Sequence, residues 1–230
     1  MTLALLRARA EAAGLALRGA FHPDAADGIA AGTLVLLGFA GGIGWPAFAG
    51  SAEAADGAPD PLDRWSRRVV DALAARMGGV ALYPFGGPPW HPFQRWATRA
   101  EPVHPSPLGI LIHPAWGLWH SYRGAIALRE RIALPPPDRH ASPCATCADR
   151  PCLSACPVGA FSATGYDVDA CASHIAAPEG TACMGAGCLA RRACPVGAAY
   201  RHDAARAGFH MRAFRASRSS SARLRGMPQR

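Results

Sequence analysis

The sequence predicts a mixed α+β chain: an α/β domain over residues 1–138, a small cysteine-rich domain over 139–200 and a basic tail over 201–230. Three observations carry this. Half of the 230 residues are hydrophobic and 17% are charged, so the chain can bury a core and is not a disordered polyampholyte. All eight cysteines fall between Cys144 and Cys194, a concentration that core packing does not need. Much of the formal charge of +8 sits at the far end, where Arg201 to Arg230 hold eight Arg against the single acid Asp203. Because all 24 basic residues are Arg, a lone Arg carries less information than usual.

The elements follow in order. Residues 3–19, rich in Ala, Leu and Arg, read as an amphipathic or buried helix. Thr33–Leu37 is a short apolar run ending at Gly38, the pattern of a buried strand. Ser51–Pro59 is small, acidic and turn-forming. Asp60 and Pro61 supply an N-cap and a first helical residue. Leu62, Trp65, Val69, Val70, Leu73 and Met77 then recur at three- and four-residue intervals, one inward face of a helix that Gly78-Gly79 ends. Val80–Tyr83 reads as a strand, Pro84–Pro92 as a stiff loop containing Trp90, and Phe93–Ala100 as a short helix. Leu108–Ile112 and Ala125–Leu128 are two further strands flanking His113–Gly124. Pro135–Pro137 is a linker, and the tail from Gly208 onward is expected to be disordered apart from a terminal helix.

The compartment decides what the thiols are. Gly28–Ala52 carries no charge, but its seven glycines and Pro46 argue against a membrane-spanning helix. Met1–Leu6 is too brief an apolar patch for a secretory signal, and Arg7 and Arg9 interrupt it. The expected location is the cytoplasm, with no membrane partner, where thiols stay reduced and cysteine clusters bind metal. Structural zinc prefers paired two-residue spacings, and only Cys144 and Cys147 show one. A catalytic thiol would not need seven companions.

The cysteine region is an internal repeat, since Ala-Cys-Pro-Val-Gly-Ala closes both halves, at Cys156 and at Cys194. It resembles the dicluster ferredoxins, in which three close cysteines wrap one iron–sulfur cube and a fourth, before Pro, ligates the other. That resemblance implies a ferredoxin-like fold with two [4Fe–4S] clusters. The cross-over rule puts Cys144, Cys147, Cys152 and Cys194 on the first cluster, and Cys156, Cys171, Cys183 and Cys188 on the second. Four residues separate Cys147 from Cys152 and five separate Cys188 from Cys194, so two loops are longer than the family pattern. Each cube with its thiolates carries roughly −2, so two offset about half of the positive excess. Arg150, Arg191 and Arg192 read either as cations beside the clusters or as solvated surface groups.

Pro107–Leu128, with His113-Pro-Ala-Trp-Gly117-Leu-Trp119 and Arg123-Gly124, resembles the cobalamin-processing reductases, with Leu118 where that family has a second Gly. Read with Arg95–Ala100 before it and the cysteines after it, the chain is similar to epoxyqueuosine reductases over roughly residues 60–200. The resemblance implies a nitroreductase-like, corrinoid reductase-like N-terminal domain, cobalamin as a further cofactor, and His113, Trp119 and Arg123 as its contacts. That family places a proton-donating Asp before the Arg95–Ala100 helix, whereas Phe85–Pro92 has no carboxylate, leaving His91 as the substitute. Glu101–Pro107 departs from the Gly-rich stretch of the family as well. Taken singly, Trp90, Trp116 and Trp119 read as core or pocket walls. Gly42-Ile-Gly44 is a poor dinucleotide loop because Pro46 spoils the helix that should follow.

The expected function is electron transfer by two clusters to a cobalamin or small-molecule substrate on the N-terminal domain. That describes a corrinoid-linked oxidoreductase supplied by a flavoprotein or ferredoxin. The alternatives are an electron carrier with no chemistry of its own, and a tRNA-modifying enzyme whose Arg-rich tail meets phosphates.

Overall fold

The computed structural model describes residues 2–162 and 164–225, with side chains described as far as Arg218. The chain forms two compact units interleaved in sequence: residues 1–104 with 120–141, and residues 105–119 with 142 onward. The single boundary expected near residue 138 is therefore corrected. Pro105–Trp119, read as part of the N-terminal domain, belongs with the cysteines.

The first unit opens with α1 (Leu3–Ala12), where the Thr2 hydroxyl accepts the Leu5 amide. The helix expected to reach residue 19 ends early, with Gly14 at φ +78°. The next residues form β1 (Ala16–Phe21) instead, because they pair antiparallel with β2 (Thr33–Phe39), every residue of which is buried. Two short helices follow, α2 (Trp45–Ala49) and α3 (Ala52–Ala55), the second lying inside the stretch expected to be loop. Then come α4 (Pro61–Met77), β3 (Gly79–Leu82) and α5 (Phe93–Ala100). The chain passes through two-residue strands β4 (His104–Pro105) and β5 (Leu111–Ile112) and returns as β6 (Ser121–Leu128). The four-stranded sheet runs β1-β2-β6-β3, antiparallel throughout. Strand β6 is internal, with Ile126 paired to Val35 on one side and Ala81 on the other.

Helix α4 buries the face read from its spacing, Leu62, Trp65, Val69, Val70, Leu73 and Met77, together with Ser66. Asp60 stands at the N-cap, but at φ +50° its side chain makes no capping bond, so Pro61 presets the first turn by itself. Gly78, at φ +63°, closes the helix by donating to the carbonyls of Ala74 and Ala75.

One polar network lies inside this unit. Arg18 of β1, with no side-chain exposure, donates to Glu101 at 2.8 Å and to the Phe39 carbonyl at 2.9 Å, and its Nη2 lies 3.1 Å from Nδ1 of His120. The Tyr122 hydroxyl donates to the same carboxylate. Burial pushes the Glu101 carboxyl up, against the opposing pull of Arg18 and Tyr122. The pair stays in the core because each charge is hydrogen-bonded as well as paired.

The second unit continues from Ser142 through α6 (Pro151–Ser154), a hairpin of β7 (Phe161–Ser162) and β8 (Gly165–Tyr166), and the helices α7 (Val168–Ala176), α8 (Thr181–Ala186) and α9 (Leu189–Ala193). The tail, expected to be partly disordered apart from a terminal helix, holds α10 (Ala204–Arg225), whose packing against α8 and α7 gives it tertiary support; residues 226–230 lie outside the described residues. Among the described residues no helix is long and apolar enough to cross a membrane. The architecture is mixed α and β.

Candidate metal centre

Six of the eight cysteines lie on or at the end of a short helical turn. Ser142 begins a single 3-10 turn, Pro143–Ala145, by accepting the Cys144 amide at 3.3 Å. Arg150 at φ +39° and Pro151 start α6, which carries Cys152. Asp167 caps α7 by accepting the Ala170 amide at 2.9 Å, and Cys171 follows on its first turn. Cys183 lies on α8, Cys188 at the N-cap of α9, and Cys194 at the end of that helix. Short helices thus turn the chain every few residues, which brings thiols far apart in sequence back together.

The thiols fall into two groups of four. Cys144, Cys147, Cys152 and Cys194 line one cavity with about 320 Å³ of free space, including solvent at its mouth. Pro107, Ile112, Pro143, Pro151, Pro195 and Val196 make its walls apolar, and Arg150 is its one charged neighbour. Burial pushes the Cys144 and Cys152 thiols up, and the charge of Cys194 adds to it in both cases. In the other group burial pushes up Cys183 and Cys188, with added repulsion from Cys171 on both, from Cys156 on Cys183, and from Cys183 on Cys188. Burial pushes the Tyr166 hydroxyl up, and the nearby charges of Cys171, Cys188 and Cys156 add to it.

Polar hydrogens reach these sulfurs. The Ala160 amide donates to Cys156 Sγ at 3.3 Å. Main-chain hydrogen bonds at Leu189 for Cys183, and at Ala190 and Arg191 for Cys188, favour the thiolate form. His174 Nε2 lies 3.8 Å from Cys183 Sγ. All eight cysteines are free of disulfides.

Such a set can do one kind of chemistry well: bind a soft, multivalent cationic group. Among the described residues no three His, Cys, Asp or Glu side chains converge tightly enough to hold a single metal ion. Four thiolates around one zinc would stand about 3.8 Å apart, as a Zn–S bond of about 2.3 Å requires. A cube takes its four thiolates at four separate irons and wants them farther apart. The four thiols and apolar walls of the first group, and the four thiols and amide donor of the second, suit a soft thiolate-ligated group.

Sequence reasoning missed the roof of the first group. Leu108, Ile112 and Leu118 pack with Cys152, Ala190 and Cys194 in one buried cluster. Gly117 and Gly197 meet back to back: a Cβ on Gly117 would lie 2.0 Å from the Val196 carbonyl oxygen, and one on Gly197 2.4 Å from the Trp116 backbone. Both have positive φ, +56° and +67°. Only the pairing of two such glycines, each after an aromatic or Pro-Val segment, could have hinted at this contact.

The residues singled out for a corrin do not share a site within either unit. His113 belongs to the cysteine unit, where its Nδ1 accepts the Ala115 amide at 3.0 Å and its ring stacks on Trp116 at 4.0 Å, stabilising its own turn. Trp119, in the same unit, is buried beneath the Arg191 guanidinium. Arg123 lies in the sheet unit, bonded to Ser66 at 2.9 Å and paired with Asp63 on α4. Compared with protein-family models, with curated proteins and with solved structures, the chain matches none.

Proposed function

We propose that this chain is an iron–sulfur electron-transfer protein carrying two [4Fe–4S] clusters. Cys144, Cys147, Cys152 and Cys194 would hold the first, and Cys156, Cys171, Cys183 and Cys188 the second. The observation that carries this reading is the sorting of the thiols, in which the last cysteine of each half of the repeat sits with the first three of the other half. When bound, each cluster supplies reversible one-electron storage. The residues present do the rest: apolar walls limit water at the first group, and amides directed at sulfur in the second favour the more negative form.

A carrier of electrons between partners is the better supported form of this proposal. A corrinoid-linked reductase needs His113, Trp119 and Arg123 to face one ligand, and each is engaged within its own unit. The test is anaerobic purification followed by iron, sulfide and cobalt counts with an ultraviolet–visible spectrum. Near eight irons and eight sulfides per chain is the expected result. A zinc-loaded or iron-free protein after anaerobic reconstitution overturns it, and stoichiometric cobalt restores the corrinoid form.

A further inference from the structure

Arg191 sits on α9, three residues after Cys188, and its surroundings are unusual for a cation. Its Nη2 donates to the Leu118 carbonyl at 2.5 Å, and its guanidinium lies 4.5 Å above the Trp119 ring. Its Nε is closed to solvent and has no hydrogen-bond partner among the described residues. No carboxylate pairs with it among those residues either. The same holds for two neighbours: the Trp119 indole nitrogen and Nε2 of His202 are both closed to solvent and without a hydrogen-bond partner, and the two rings meet edge-on at 5.0 Å. Arg206, buried on α10, brings a second positive charge, and Asp203 acts on Arg206.

A desolvated cation needs an anion, and here the choice is narrow. Atoms closed to solvent leave no room for a free ion or a water to supply it. Cys188 stands at the N-cap of the same short helix, one turn before Arg191, where residues three apart face one another. We propose that Arg191 is the built-in counter-ion of the group held by Cys156, Cys171, Cys183 and Cys188, and that it favours that group's reduced form. This rests on the cluster reading above. One electron enters from a reductant, no bond is made or broken, and the charge of cube and thiolates goes from roughly −2 to roughly −3. A fixed cation close by stabilises the second state more than the first. Trp119 and the Leu118 carbonyl hold the guanidinium in place, so the counter-charge cannot swing out to solvent.

The experiment is a dithionite titration followed by paramagnetic resonance on the full chain, comparing the native protein with Arg191→Met and Arg191→Lys. The second centre's signal is identified as the one that Cys183→Ala loses. Arg191→Met should lower the second centre's potential by at least tenfold in its reduction equilibrium, about 59 mV for one electron, and move the first centre less. Arg191→Lys, which keeps the charge, should stay near the native potential. If Arg191→Met fails to load the second centre while Arg191→Lys loads it, iron content alone supports the assignment. An unchanged potential in Arg191→Met, equal displacement of both centres, or equal failure of both variants overturns it, the last by assigning the effect to the guanidinium's hydrogen bond. A native chain without iron sinks the cluster reading first and the counter-ion with it.

Discussion

Cys156 and Cys194 occupy matching places in the repeat, each followed by Pro-Val-Gly-Ala, yet each has its neighbours in the other half. On the proposed function, Cys156→Ala is therefore expected to injure the centre of Cys171, Cys183 and Cys188, and Cys194→Ala the centre of Cys144, Cys147 and Cys152. Iron counts with low-temperature paramagnetic resonance read this directly. Loss of the Cys144 centre in Cys156→Ala, with the other retained, would mean that each half serves itself. A second residue, Asp27, ties part of the fold's stability to pH. Burial works to raise the Asp27 carboxyl, but the Asp24 amide and Arg99 hold it below its ordinary 3.8. A carboxyl lowered in the folded state contributes stability above 3.8 that is lost as pH falls through its folded value. Asp27→Asn should thus cost about 2 kcal/mol at pH 7, typical for hydrogen bonds to a charged group. In urea melts that gap should close towards acid pH; a gap constant with pH would remove Asp27 as the cause.

At the scale of elements, the two copies of Val-Gly-Ala offer a matched pair. Gly159 and Gly197 have nearly the same backbone, φ +58° and +67°, but nothing lies within 4 Å of a Cβ on Gly159. Gly159→Ala should cost only the left-handed backbone penalty of about 1–2 kcal/mol. Gly197→Ala must also push the Trp116–Gly117 turn away, and its urea midpoint should fall well below that of Gly159→Ala; equal midpoints would show that the contact yields. The grouping of the thiols came from the cross-over rule of the ferredoxins that the repeat resembles, in which a Pro after each fourth cysteine redirects the chain. Helix α4 was legible too, since a face of six large apolar residues has one period. The start of the chain was not: Leu15–Phe21 suits helix or strand equally, and only pairing with the buried β2 decides it. Nor could Pro105–Trp119 be placed, because Leu108, Ile112 and Leu118 would suit either core, and the choice is made by contacts with residues more than 30 positions later.

For the whole molecule, the cysteine module is not the contiguous piece its composition suggests. A fragment of residues 139–200 lacks Leu108, Ile112 and Leu118, along with the wall residue Pro107 of the first cavity. It also lacks α10, which packs on α8. Such a fragment should retain less than half of the full chain's reconstituted iron and lose the first centre preferentially. Full retention of both centres would show the missing segments to be dispensable.

The interleaving also bears on how the protein is made. Chains emerge from the ribosome at about 5–20 residues per second. The first unit cannot close its sheet until β6 is out, and by then Pro105–Trp119 has already appeared with nothing to cover. The second group of thiols is complete once Cys188 emerges, whereas the first waits for Cys194, although three of its members came earlier. Nascent chains would therefore expose an apolar strip and unpartnered thiols for seconds, a window in which a chaperone, and on the proposed function a factor delivering the clusters, has the most to do.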